Sequence, residues 1–216
     1  MTGKVIPFNP LDKKNLGASV AEALLTKEVH PLGDVPMFEG AGIYAIYYTG
    51  DFQAYQQISR LNREENFQLP IYVGKAIPAG ARMGANLELA AGRVLQKRLK
   101  EHAESVKAAE NLDIQDFQCR FLVVDDIWIP LGESLIIARF TPIWNSAIDG
   151  FGNHNPGKGR LAGKRSRWDV LHPGRGWATN HAERLETPAQ LAEKAQTHLN
   201  ILPPCLSGQF IQAEGE

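Results

Sequence analysis

Arg98 and His102 are polar residues that fall on a helical face that should be buried. They are spaced i, i+4, and at about 100° per residue they share one stripe with Leu95, Leu99 and Val106. Taken alone, His102 is most simply a core histidine hydrogen-bonded to the backbone. The neighbouring Arg98 argues against this interpretation, because arginine is rarely buried without an anionic partner. The pair therefore indicates a site for an anion such as phosphate.

Glu133 is a second polar residue on an apolar face. Its spacing to Ile136, Ile137 and Phe140 is i, i+3, i+4, i+7, which places the carboxylate on the buried side of a helix. A first-turn carboxylate that balances the helix dipole is the alternative interpretation. A carboxylate that faces the core must be paired, protonated or bound to a metal. An arginine, a histidine and a glutamate on one surface would form a phosphate-and-metal site.

Tyr44 and Tyr72 can add two hydroxyl groups to such a site. Each lies in a short β-branched and aromatic segment, residues 42–48 and 70–73, and both segments are predicted to be strands. Tyrosines in strands are ordinarily core aromatics, so this interpretation stays open.

The elements that must position these residues mix strands and helices without regular βαβ repeats. A third strand is predicted at residues 117–124 and a long helix at residues 86–111. A further helix opens at Pro130 and ends before Thr141, since the residue before Pro142 resists helical backbone angles. The pattern predicts the α+β class.

The flanking segments are predicted to be extensions of a single domain that spans residues 1–216. A helix is expected at residues 18–25 and a polar helical insert at 51–66. Residues 149–176 form a loop rich in Gly, Asn and basic residues, and a last helix covers 188–199. The expected division is an N-terminal extension (1–39), a catalytic core (40–147), and a basic recognition loop with a C-terminal helix (148–216).

Composition places few limits on function. The chain has 216 residues, a net charge of −1, 44% hydrophobic and 22% charged residues, as in ordinary globular proteins. Any nucleic-acid surface must therefore come from local clusters of Lys and Arg. The two cysteines, Cys119 and Cys205, are too few for a disulfide framework or a zinc ribbon. Without a signal-like or membrane-length apolar run, a soluble cytoplasmic protein is expected.

Five features in order resemble the motif set of GIY-YIG nucleases. They are the triplets Gly42–Tyr44 and Tyr72–Gly74, followed by Arg98, Glu133 and Asn145. Each feature is weak alone, but five in order and in context are specific, and they cover residues 40–147. The resemblance implies a small three-stranded antiparallel sheet flanked by helices.

The resemblance is closest to the type II restriction branch of that family. Its members share the pair Arg98-x-x-x-His102, the turn at residues 149–153 and the segment at residues 171–175. Relatives of this kind cut the palindrome CCGCGG as homodimers. The gap of 28 positions from Tyr44 to Tyr72 also favours this branch over homing and excision-repair enzymes.

By this resemblance Glu133 is the single metal ligand, for Mg²⁺ with Mn²⁺ as a substitute, in a one-metal mechanism. Arg98 is expected to hold the scissile phosphate and to stabilise its developing charge. An unperturbed tyrosine titrates near 10, so a Tyr44 general base would need assistance. His102 could accept the tyrosine proton near neutral pH.

Two further residues receive supporting roles by the same resemblance. Tyr72 is expected to orient the water or the phosphate. Asn145 is expected to position groups around the metal or the phosphate. The sequence does not decide which tyrosine is deprotonated.

Contacts to double-stranded DNA are expected mainly from a basic stretch. Residues 150–177 hold six basic residues against one acid, Asp169, interleaved with glycines and asparagines that suit a loop following a DNA groove. A solvated face is the ordinary interpretation of such a run. The predicted DNA-contacting residues are Lys75, Asn153, Lys158, Arg160, Lys164, Arg165, Arg167 and Arg175.

Three other functional classes fit parts of the sequence. The sequence from Gly152 to Lys158 fits GxxxxGK, but Gly159 stands where a P-loop needs Ser or Thr, so an NTPase is excluded. A structure-specific repair nuclease is the alternative among enzymes. A non-catalytic DNA-binding protein on the same scaffold is the alternative from another class. A palindromic target would require two active sites and hence a dimer.

Overall fold

The computed structural model describes residues 9, 11–64, 66–78, 92–154 and 163–201. Its centre is an antiparallel sheet with strand order β1-β4-β2-β3. The strands are β1 (His30–Pro31), β2 (Gly42–Tyr48), β3 (Tyr72–Ala76) and β4 (Phe117–Val123). The three predicted strands are confirmed. A fourth strand lies outside the predicted core, because His30–Pro31 of the N-terminal extension pairs with Gln118 and Cys119 of β4. Proline is tolerated there because β1 is an edge strand.

Six α-helices surround the sheet in the described part of the chain. They are α1 (Lys13–Leu25), α2 (Gln56–Glu64), α3 (Val94–Ala108), α4 (Ile129–Phe140), α5 (Arg167–Leu171) and α6 (Pro188–Ile201). The α+β class is confirmed. None of the helices found in these residues is long and apolar enough to cross a lipid bilayer.

Strand β2 is buried along its whole length because both faces of the sheet are covered. On one face, Tyr44, Ile46 and Tyr48 pack in a core with residues of α3, α5 and α6. On the other face, Ile43, Ala45 and Tyr47 pack against α1 and α4. This alternation follows from the two-residue period of a strand. The side chain of Tyr44 is therefore directed toward α3, and the α4 helix lies behind it.

Several predicted bounds differ from the structure, and the long helix is the clearest case. The long helix begins at Val94 and ends at Ala108, not over residues 86–111; residues 79–91 lie outside the described part. Gly92 has a positive φ of 54°, which interrupts a helix before Val94.

The predicted loop at residues 149–176 contains the short helix α5. Its start is fixed by Ser166, whose hydroxyl accepts a hydrogen bond from the Asp169 amide at 3.1 Å and donates to the Asp169 carboxylate at 2.6 Å. This Ser-x-x-Asp arrangement is a variant of the capping box, a signal that the loop prediction overlooked.

Candidate active site

Tyr44 lies at the centre of the site, in the middle of the sheet. Its partner across β3 is Gly74, and the Tyr44 ring passes directly over that glycine. A β-carbon at position 74 would lie 2.4 Å from the Tyr44 hydroxyl oxygen. The glycine of the second triplet thus leaves room for the tyrosine of the first.

His102 on α3 forms a hydrogen bond with Tyr44, with 2.6 Å between the phenolic oxygen and Nε2. Both side chains are buried. Burial, followed by the charge of Arg98, holds the pKa of His102 well below its usual 6.5. A neutral imidazole can accept the phenolic proton at Nε2. The histidine predicted from helical spacing therefore lies where its Nε2 can accept the Tyr44 proton.

The resting form of this pair is neutral on both sides. Burial raises the pKa of the Tyr44 phenol well above its usual value, and the nearby Tyr72 raises it further. The charge of Arg98 lowers it. Tyr44 therefore keeps its proton in the free protein, and it can act as a base only if that proton passes on to His102.

Arg98 lies one helical turn before His102 and is directed at the same space. Its Nη2 donates to the carbonyl oxygen of Gly152 at 2.7 Å, and its Nη1 donates to Glu101 at 3.1 Å. Its positive charge lowers the pKa of Tyr44 and of Tyr72, so it lies near both phenols. A phosphate bound between these groups would meet a guanidinium donor.

Glu133 reaches the site from α4, on the other face of the sheet. Its carboxylate accepts a hydrogen bond of 2.5 Å from Nζ of Lys75, and the two side chains are 16% and 30% exposed. The charge of Glu133 also raises the pKa of Tyr44 and Tyr72, although burial is the largest cause for both. The side chains of Tyr44, Tyr72, Arg98, His102 and Glu133 therefore lie near β3, the last strand of the described sheet.

The residues present fit a single hard cation. Within the described ranges, no three His, Cys, Asp or Glu side chains come together as a metal cluster. The partly exposed Glu133 carboxylate can supply one oxygen ligand, and water and phosphate oxygens would supply the rest, as is usual for Mg²⁺. Lys75 neutralises this carboxylate, so a cation would compete with its ammonium group.

The structure places Asn145 beside strand β3, against its backbone. Its amide oxygen accepts from the Val73 N–H at 2.8 Å, and its amide nitrogen donates to the Val73 carbonyl at 2.7 Å. Both polar ends of the side chain are occupied by the backbone. Asn145 thereby fixes the strand segment that carries Tyr72 and Gly74.

The predicted DNA-contacting residues fall into different environments. Asn153 and Lys164 are exposed, and Lys158 and Arg160 lie outside the described residues. Arg165 donates to the carbonyl of Ala178, and Arg167 pairs with Asp149 and Glu186.

Arg175, by contrast, has a buried side chain that pairs with Asp169 at 2.7 Å. The structure gives its guanidinium an internal role, away from solvent.

Two site residues were not found by sequence reasoning. The ring of Phe151 stacks on His102, with 4.5 Å between centroids and an interplanar angle of 19°. His154, an exposed residue, contacts the Arg98 guanidinium. Phe151 lies in the turn that supported the restriction-branch resemblance, but nothing in its spacing connects it with α3.

A family model described as the Eco29kI GIY-YIG domain matches residues 36–199 of this chain. These residues include β2, β3, β4 and every described site residue. No curated protein matches the chain.

Proposed function

Because this chain belongs to the Eco29kI GIY-YIG family of nucleases, we propose that it is a type II restriction endonuclease that cuts double-stranded DNA at a palindrome. The observation that carries the proposal is the buried hydrogen bond between Tyr44 and His102, with Arg98 and Glu133 close to the same phenol. Binding alone would not require a proton acceptor behind a tyrosine.

Hydrolysis by these residues needs two proton transfers. The oxygen of a water molecule attacks phosphorus, and its proton goes to the Tyr44 oxygen as the Tyr44 proton passes to Nε2 of His102. The bond from phosphorus to the leaving oxygen then breaks, that oxygen takes a proton from solvent water, and His102 returns its proton to solvent through Tyr44. His102 is a weak base in the free protein because burial and the charge of Arg98 lower its pKa. A phosphate beside Arg98 would offset that charge and would strengthen His102 as a base.

Three side chains would hold the reacting phosphate. Arg98 and Lys75 would do so directly, and Glu133 through a bound cation. The Arg98 guanidinium binds phosphate oxygens and stabilises the charge that develops on them. A hard divalent cation on Glu133, Mg²⁺ or Mn²⁺, supplies charge neutralisation at the phosphate when bound. Lys75, which pairs with Glu133 in the free protein, would pair with a DNA phosphate when a cation neutralises that carboxylate. Tyr72, beside Tyr44, would orient the water.

Sequence recognition is proposed to come from the C-terminal basic segment. The exposed side chains of Asn153 and Lys164 support this, since exposed polar and basic side chains are the groups that contact DNA. Cutting both strands of a palindrome requires two active sites, so the active form would be a homodimer on DNA. CCGCGG, the target of the resembling relatives, is the first sequence to test.

The test is to incubate the purified protein with Mg²⁺ and plasmid or phage DNA and to sequence the ends. Discrete fragments that share one palindrome are expected. Glu133→Gln should abolish cutting while DNA binding persists, because the amide cannot neutralise a cation. Glu104→Gln, which loses only the exposed i, i+3 pair with Lys107 on α3, is the matched control and should cut normally.

Other outcomes would support the two alternatives. Cutting of flaps or lesions without sequence preference would replace the restriction enzyme with a repair nuclease. Binding of duplex DNA without cutting of any substrate would indicate a non-catalytic protein.

A further inference from the structure

Arg175 is a buried arginine whose donors converge on one turn. Its side chain is 3% exposed and that of its partner Asp169 is 2% exposed. Its two terminal nitrogens donate to the carbonyls of Gly150 and Phe151, both at 3.0 Å, and more weakly to that of Asn153 at 3.3 Å. The turn at residues 150–153 is thus fastened from inside by one guanidinium.

Two indole rings pack against this guanidinium and restrict its rotation. Its central carbon lies 4.4 Å from the ring centroid of Trp168 and 4.7 Å from that of Trp177. Asp169, held by the Ser166 cap of α5, fixes the remaining Nε–H. A planar group held by aromatic rings and a carboxylate has little freedom to reorient.

The far side of the same turn contacts three candidate catalytic residues. Phe151 stacks on the His102 ring, and the Gly152 carbonyl accepts from Arg98 at 2.7 Å. Gly152 also lies against Tyr72, since a β-carbon there would be 2.5 Å from the Tyr72 hydroxyl. The turn therefore sets the positions of a base, a phosphate ligand and an orienting phenol.

We propose that Arg175 is a positioning residue, which acts through the 150–153 turn to hold His102 and Arg98 in their reactive places. The inference rests on the proposed nuclease function. It also gives this arginine a role other than contact with DNA. Lysine cannot replace it, because an ammonium group cannot donate in one plane to an aspartate and two separate carbonyls.

The chain offers a matched control in Arg120. This arginine is also buried, donates to the carbonyls of Lys27, Asn66 and Phe67, and lies 5.0 Å from the Tyr47 ring centroid. Arg120 is directed to the α1 and α4 side of the sheet, because its partner in β2 is Ala45. Arg175→Lys and Arg120→Lys thus each remove a buried guanidinium with several hydrogen bonds, and the two positions lie on opposite sides of the sheet.

The experiment compares these two variants with the parent protein in three measurements. They are the single-turnover cleavage rate with Mg²⁺, the Kd for the cognate duplex in EDTA, and hydrogen exchange of the 149–154 segment without DNA. Displacing reacting groups by about 1 Å costs roughly 100-fold in rate, so Arg175→Lys should lose about that factor. Its Kd should change little, and exchange at 149–154 should rise. Arg120→Lys should leave the rate and that exchange near parent values.

Phe151→Leu provides a second route if Arg175→Lys does not fold. It keeps the buried ion pair but removes the ring stacked on His102, and it should also lower the rate with little change in Kd. The proposal is overturned if either folded variant cuts as fast as Arg120→Lys, or if exchange at 149–154 is unchanged in Arg175→Lys. A parent protein that cuts no DNA would instead refute the proposed function, while the exchange data would still show whether Arg175 fastens the turn.

Discussion

Replacing Gly74 with alanine should disable the Tyr44–His102 pair without removing either residue. The added β-carbon would lie 2.4 Å from the Tyr44 hydroxyl oxygen and 2.6 Å from its Cζ. Both distances are about 1 Å short of ordinary van der Waals contact. Tyr44 is 0% exposed, so its ring cannot turn out into solvent without disturbing the core around it.

Relieving this clash would displace the Tyr44 hydroxyl by about 1 Å. A shift of this size would stretch or break the 2.6 Å hydrogen bond to His102. Misplacing a reacting group by about 1 Å costs roughly 100-fold in rate. Overpacking of a buried site costs about 1–3 kcal/mol of unfolding free energy, so the variant should remain folded at moderate temperature.

The assay is single-turnover cleavage of a plasmid with Mg²⁺, with thermal unfolding followed by circular dichroism. Gly176→Ala is the control, because a β-carbon at position 176 would meet no heavy atom within 4 Å apart from its chain neighbours and the backbone of its own helical turn. Its cleavage rate should match that of the parent. If folded Gly74→Ala cuts within about threefold of Gly176→Ala, a free-energy difference below 1 kcal/mol, the position of the Tyr44 hydroxyl does not limit the reaction.

Three further predictions test the site and its surroundings. Tyr44→Phe should lower the single-turnover rate by about 10²–10⁴-fold, the usual contribution of a general base, and Tyr72→Phe should lower it less. Asn145→Asp should lower the unfolding free energy in urea by about 1–3 kcal/mol, because a carboxylate cannot donate to the Val73 carbonyl. Burial, followed by Arg175, lowers the pKa of His172 to about 3, so the unfolded chain binds its proton more readily below pH 6.5. Stability should therefore fall with pH below 6.5, by about 1.4 kcal/mol per unit for this group, and the slope of thermal unfolding against pH should be shallower in His172→Gln.

Sequence periodicity predicted the strands and helices whose buried side chains repeat at a regular spacing. The β-branched and aromatic segment at residues 42–48 gave the observed bounds of β2, because both faces of that strand are buried. Helical spacing placed Arg98 and His102 on one face of α3, and the structure directs both at Tyr44 and Tyr72. These inferences needed only local geometry.

Long-range pairing was not predictable in the same way. A run of six basic residues suggested that Arg175 faces DNA, but its guanidinium is buried against Asp169. Charge along the sequence does not reveal that a Ser166 cap forms α5 and directs Asp169 inward. Asn145 is a similar case, since its contact with Val73 joins residues 72 positions apart.

Two buried Tyr–His pairs differ in their hydrogen-bond partners, and the sequence does not show which of them could be catalytic. In the second pair, Tyr55 lies 2.7 Å from Nε2 of His172 and accepts a hydrogen bond from Trp144 at 2.9 Å. The other ring nitrogen of His172 lies 2.8 Å from the Asn111 amide oxygen. These contacts occupy the hydrogen-bonding groups of Tyr55 and His172 with internal partners. The proton of Tyr55 therefore has a structural role.

The Tyr44–His102 pair has different neighbours. Burial has the largest effect on the pKa of Tyr44, and the other effects come from Tyr72, Arg98 and Glu133. These are the residues proposed to bind water, phosphate and metal. A buried pair surrounded by packing groups stabilises a fold, whereas one surrounded by an arginine and a carboxylate can move a proton. The same two residue types thus have a structural role on one side of Trp144 and a proposed catalytic role at β3.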